Sequence, residues 1–137
     1  MMQAGKYYIG DLCYVFNNQD WDEICGLIIE GSKCLTGEFE LKDGRRFAIY
    51  NTMYGDGLYR DQFDNEYCVE SGSIGCVLVD HTSRKSVDEM KELGAIVDMQ
   101  HPFNTHCYDN GIIKICSTTI DTAGDWEEDE YDEEEAA

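Results

Sequence analysis

The stretch from 52 to 66, TMYGDGLYRDQFDNE, concentrates groups that could bind or react. Tyr54, Asp56 and Tyr59 surround two glycines, and further carboxylates follow at 61, 64 and 66. A flexible loop rich in carboxylates is what a hard cation such as Ca²⁺ requires, but an EF-hand needs acids at loop positions 1, 3 and 5 and glycine at 6. That spacing is missing, so a polar turn, with aspartate bonding its own backbone, accounts for the loop more simply. A few residues on, Glu70 and Ser71 lie in another glycine-containing loop, ESGSIG. Sites favour adjacent loops of this kind. Tyr54, Asp56, Tyr59, Glu70 and Ser71 are therefore the candidate ligand-binding set.

Other chemistry lacks a supporting pattern. His101, His106 and Cys107 offer His-x4-His-Cys, an incomplete set for a zinc ion that needs three or four ligands in tight geometry. Solvated histidines are the plainer reading. Ser71 has no glycine two positions before it and so makes no nucleophile elbow. Cys13, Cys68 and Cys107 could meet a histidine in space, but nothing in residue order implies it. Phosphate-binding glycine loops of either common kind are absent. We expect no catalytic residues, no metal and no cofactor.

The elements that would position these residues are mostly strands. KYYIGDLCYVF, residues 6–16, reads as strand, break, strand. Asp20 and Glu23 resemble a capping box, and Ile24, Leu27 and Ile28 share a helical face, which predicts a helix from about Trp21 to Glu30 with Gly31 as its stop. GEFELKDGRRFAIYN predicts a hairpin turning through a type I′ Asp43-Gly44. YCVESGSIGCVLVD predicts two short strands around Ser71-Gly72. Ser86, Glu89 and Gly94 delimit a second short helix. AIVDM is a strand, and Asn110-Gly111 centres a second hairpin. Strands and helices do not alternate regularly, so the expected fold is α+β and β-rich: a bent antiparallel sheet or partial barrel with two short helices.

The formal net charge is −19, from 29 acidic and 10 basic residues. Nine carboxylates lie in 125–135, DWEEDEYDEEE, which leaves −10 on the rest. Such a block cannot bury enough apolar surface to offset ordering entropy, which predicts a globular domain over 1–123 and a disordered acidic tail over 124–137. Trp126 and Tyr131 could make the tail an interaction motif; the simpler alternative is solubilisation. An acidic body repels nucleic-acid phosphates and anionic lipid, so no direct nucleic-acid binding and no membrane association are expected. No apolar run approaches the roughly 18 residues of a membrane span. Seven cysteines, an odd number, fit free thiols in a reducing cytoplasm.

Three segments carry a resemblance. YIGDLCYV (8–15), TMYGDGLY (52–59) and VESGSIG (69–75) resemble a pattern in small uncharacterised proteins of tailed phages and bacteria. Glu70 stands where that pattern has Asp. The resemblance implies a viral protein in a host cytoplasm and brings no assigned activity. The expected function is a non-enzymatic binding or regulatory protein, acting through its acidic surface on a basic host or viral protein, with nucleic-acid mimicry as a special case. The alternative is a small-ligand binder or enzyme with a pocket around the 54–71 loops.

Overall fold

The computed structural model describes residues 1–83 and 86–122. The 124–137 tail expected from the charge run lies outside the described residues. In chain order the elements are β1 (Gly5–Gly10), α1 (Asn18–Ile28), β2 (Ile29–Glu30), β3 (Lys33–Cys34), β4 (Gly37–Glu40), β5 (Arg46–Asn51), β6 (Gly57–Arg60), β7 (Glu66–Val69), β8 (Ser73–Leu78), α2 (Val87–Leu93), β9 (Ala95–Met99), β10 (Thr105–Cys107), β11 (Ile112–Ile115) and β12 (Thr118–Asp121). The fold is α+β and strand-rich. Several antiparallel sheets build it: a five-stranded sheet β4-β5-β8-β1-β9, a three-stranded sheet β10-β11-β12, and the pairs β2-β3 and β6-β7.

The five-stranded sheet is buried on both faces, which explains why its central strands read as nearly continuous apolar runs. Side chains alternate across it. Tyr7, Ile9, Ala48, Tyr50, Ile74 and Cys76 face one cluster, shared with Tyr59, Tyr67, Ile113 and Ile120 of the smaller sheets. Tyr8, Phe47, Ile49 and Val77 face the other, shared with Leu12, Phe16, Ile24 and Met90. The helices therefore cover one face and the small sheets the other.

Local signals were partly superseded. The second strand expected after Gly10 is a 3-10 turn, Leu12–Tyr14, capped by the Asp11 side chain. The first helix begins earlier than expected, because Asn17 is its cap and accepts from the Asp20 N–H at 2.8 Å. Glu23 instead accepts from the Lys42 N–H. The helix ends at Ile28, and Gly31 turns the chain between β2 and β3 at a φ of 64°. The second helix follows its signals, with the Ser86–Glu89 capping box in place. Gly94 ends it by close approach: a Cβ there would sit 2.1 Å from the Ile9 carbonyl oxygen.

Three hairpins share one loop. Gly44 N–H donates to Leu41 O, Gly111 N–H to Tyr108 O, and Asp64 N–H to Asp61 O, each loop then closing one residue further on. Gly44, Gly111 and Asp64 take φ values of 94°, 87° and 70°. This is a type I turn followed by one left-handed residue, so the Asp43-Gly44 turn is not the type I′ expected. Asp43 keeps a negative φ because the glycine alone supplies the reversal. Among the described residues only Asp64 and Cys116, the latter in the turn between β11 and β12, take a positive φ without being glycine. Each replacement, Asp64→Gly and Cys116→Gly, should therefore raise stability by about 0.5–1 kcal/mol. Urea unfolding checks this; a loss of stability in both would show that these side chains do more than tolerate the turn.

Candidate functional site

The segments 8–15, 52–59 and 69–75 meet at the ends of β1 and β8, where Gly10 and Gly75 are cross-strand partners. Asp11 follows directly and is fully buried. One carboxylate oxygen accepts the Cys13 N–H at 3.0 Å and the Ser71 hydroxyl at 2.7 Å. The other accepts the N–H groups of Glu70 and Ser71, both at 2.7 Å. A buried carboxylate is tolerated only when its lone pairs are filled in this way. Ser71 also shares a hydrogen bond with Ser73 at 2.8 Å. Asp11 thus fastens the loop between β7 and β8 to the end of β1.

The 52–59 segment is tied into the same place. Thr52 donates its N–H to Gly72 O at 3.0 Å and its hydroxyl to Gly55 O at 2.6 Å. Tyr59, buried, donates to the same Gly55 carbonyl at 2.9 Å. Gly72 lies against Gly55, so a Cβ there would come 3.8 Å from the Gly55 Cα and 4.0 Å from an Asp56 carboxylate oxygen.

The five candidate site residues therefore separate. Asp56, Glu70 and Ser71 come together on the surface. Tyr59 turns inward to hold its own loop, and Tyr54 points to solvent, 66% exposed. Ser71 is bonded to a carboxylate and to another hydroxyl, and among the described residues no histidine hydrogen-bonds it. Sequence reasoning left Asp11 and Tyr14 out of the candidate set and weighed Cys13 only as a thiol that could meet a histidine. Asp11 looked like a strand break, yet an aspartate directly after a strand-ending glycine was the available signal for a loop-binding carboxylate.

The electrostatics of this corner are acidic. Burial, and then the charge of Asp11, push the Cys13 thiol upward; Glu70 and Asp56 add to the shift. Tyr14 is raised by burial and by its bond to Glu70. A thiol held protonated by carboxylates is a poor nucleophile. The other acids of the 54–66 stretch are engaged separately. Asp61, buried, accepts from the N–H groups of Phe63 and Asn65, the Asn65 amide and the Tyr67 hydroxyl at 2.6 Å. Asp64 and Glu66 lie beside Arg60 at 3.9 and 3.0 Å. His101 and His106 are exposed, and His106 packs edge-on against Tyr108. Among the described residues no three His, Cys, Asp or Glu side chains gather as metal ligands. A groove of about 250 Å³ lies elsewhere, lined by Arg60, Asp61, Gln62, Ile112, Thr119 and Asp121.

Buried tyrosines give the molecule an alkaline limit. Burial pushes Tyr7 up to about 12, and Tyr8 and Tyr67 further, with neighbouring carboxylates adding to both. A raised folded-state value means stability that is complete below the ordinary tyrosine range and lost as pH climbs through it. Tyrosinate absorbance should therefore show a fraction of the tyrosines titrating only with unfolding, above about pH 10. A single titration at the free-tyrosine position, with the fold intact, would contradict this.

All three arginines among the described residues are held in ion pairs. Arg45 binds Asp20 and Asp43, Arg46 binds Glu38 and Glu40, and Arg60 binds Asp64 and Glu66. Arg45 also donates to the His81 carbonyl and sits over the Phe16 ring, tying α1, the β4–β5 turn and residue 81 together. The cations best suited to bidentate anion recognition are thus occupied internally. Exposed carboxylates such as Asp22, Glu30, Asp56, Glu70, Asp98 and Asp109 face solvent. Among the described residues no helix is long and apolar enough to cross a membrane. Comparison of the chain with models of protein families, with curated proteins and with solved structures finds no match.

Proposed function

We propose that the protein works by contact rather than turnover: it binds a basic host or viral protein through its acidic surface. One observation carries this reading. Arg45, Arg46 and Arg60, the arginines among the described residues, are neutralised within the chain, so the carboxylate excess is what an approaching partner meets. The residues that looked most like a site support it. Tyr59 and Ser71, like Asp11 and Thr52, are engaged in bonds that shape the loops, which leaves Asp56 as an exposed charge and Glu70 as an exposed charge bonded to Tyr14. A surface of one sign accelerates encounter with the opposite sign and penalises its own.

The test is capture of partners from native or infected cells by the full chain at low and high salt. Basic proteins retained at low salt and released as salt rises are expected. Retention of a neutral or acidic partner irrespective of salt, or a turnover abolished by Asp56→Ala in a folded protein, would overturn the reading.

A further inference from the structure

The five-stranded sheet has two edges, β4 and β9, and they are finished differently. β4 is flanked by other parts of the chain: Glu38 accepts from the N-terminal ammonium at 2.6 Å and from the Thr105 hydroxyl of β10 at 3.2 Å. Among the described residues β9 pairs with β1 alone. Alternate residues of an edge strand direct their N–H and C=O groups outward, and among the described residues no backbone group of 95–99 bonds anything beyond β1. Ala95 and Met99 at its ends are buried, Ile96 and Val97 are half-buried and Asp98 is exposed, so solvent reaches the middle of this edge. Edge strands are ordinarily blunted by proline, a bulge, charged side chains (lysine above all) or a covering segment. AIVDM carries only an aspartate.

We infer that the free edge of β9 takes an extended basic segment of the partner as an added strand. This rests on the reading of the acidic surface and supplies its mode of docking, with main-chain bonds giving affinity and alternate side chains giving selectivity. The pleat sets the pattern. Asp98 shares a face with Ile96, which packs with α2, and α2 exposes Asp88 and Glu92. Val97 and Met99 face the opposite side, toward Tyr7 and Phe103. An incoming strand would therefore place lysine or arginine on the α2 side and apolar residues on the other. Lys6 lies opposite Asp98 on β1, and Lys91 lies on α2, but the chain outside 125–135 still carries −10. A second copy fits poorly, because each chain brings −19 to the contact.

The probe is a synthetic octapeptide of alternating valine and lysine, used with the full chain at low salt. Amide exchange at 95–99 should slow by about ten-fold or more on binding. The same peptide N-methylated at the amides that face the sheet keeps its charge and should bind at least about ten-fold more weakly. Val97→Pro, on an edge strand, should abolish the protection; if that variant does not fold, the methylated peptide decides. Equal binding by both peptides, or protection confined to other segments, overturns the strand addition while leaving the acidic-surface reading standing. No binding by either peptide removes both.

Discussion

Asp11→Ala is expected to lower the unfolding free energy by about 3–5 kcal/mol. Hydrogen bonds to an ionised group contribute roughly 1.5–3 kcal/mol each, and Asp11 accepts four. The sum overstates the loss, because Glu70 and Ser71 are exposed enough for water to reach the abandoned N–H groups. Asparagine should rescue little, since its amide nitrogen would face donors. Asp56→Ala, also a Gly-Asp position but exposed, should stay within about 0.5 kcal/mol of the parent. Urea denaturation of both variants decides the matter. An Asp11→Ala protein within about 1 kcal/mol of the parent would mean that the carboxylate does not fasten the β7–β8 loop.

The second large effect belongs to Gly75. Gly75 is not among the glycines with a positive φ, so the left-handed region is not the reason for glycine here. A Cβ would lie 2.0 Å from the Ala48 carbonyl oxygen and 3.0 Å from a Leu12 methyl. The obstacle is a paired neighbouring strand, which cannot yield as a side chain would. Gly75→Ala should cost roughly 4–5 kcal/mol, enough to leave a marginal domain largely unfolded. Gly26→Ala in α1 offers the contrast: nothing lies within 4 Å of its Cβ position. That change should raise stability by about 0.5–1 kcal/mol through helix propensity. Thermal unfolding of the pair checks both signs, and a native-like Gly75→Ala would show that the β5–β8 spacing can relax.

These glycines and Asp11 show where sequence reading stopped. Local chemistry was legible: the Ser86–Glu89 cap, the hairpins, and the two-strand reading of 67–80 all rest on neighbours in sequence. Tertiary context was not. β7 and β8 are adjacent in sequence but join different sheets, β7 with β6 and β8 with β5 and β1. The 52–59 pattern looked like a pocket because glycine, aspartate and tyrosine are also what sites use. Its residues bond within the loop, as Thr52 and Tyr59 do to Gly55, and to partners twenty and more positions away, as Thr52 does to Gly72. Asp11 bonds residues 59 and 60 positions ahead, which no periodicity encodes. The earlier start of α1 had a nearer cause: Asn17 and Asp20 are both good caps, and the capping distance fits Asn17.

The acidic surface is the central claim, and association kinetics test it most directly. The full chain and its captured basic partner should be mixed over a range from roughly 0.05 M to roughly 0.5 M salt, which shortens the screening length several-fold. The account predicts an association rate that falls by an order of magnitude or more across that range, while dissociation changes little. Deleting 125–137, which removes nine carboxylates, should slow association more than it speeds dissociation. A rate that is flat with salt, in a complex of undiminished affinity, would contradict the account.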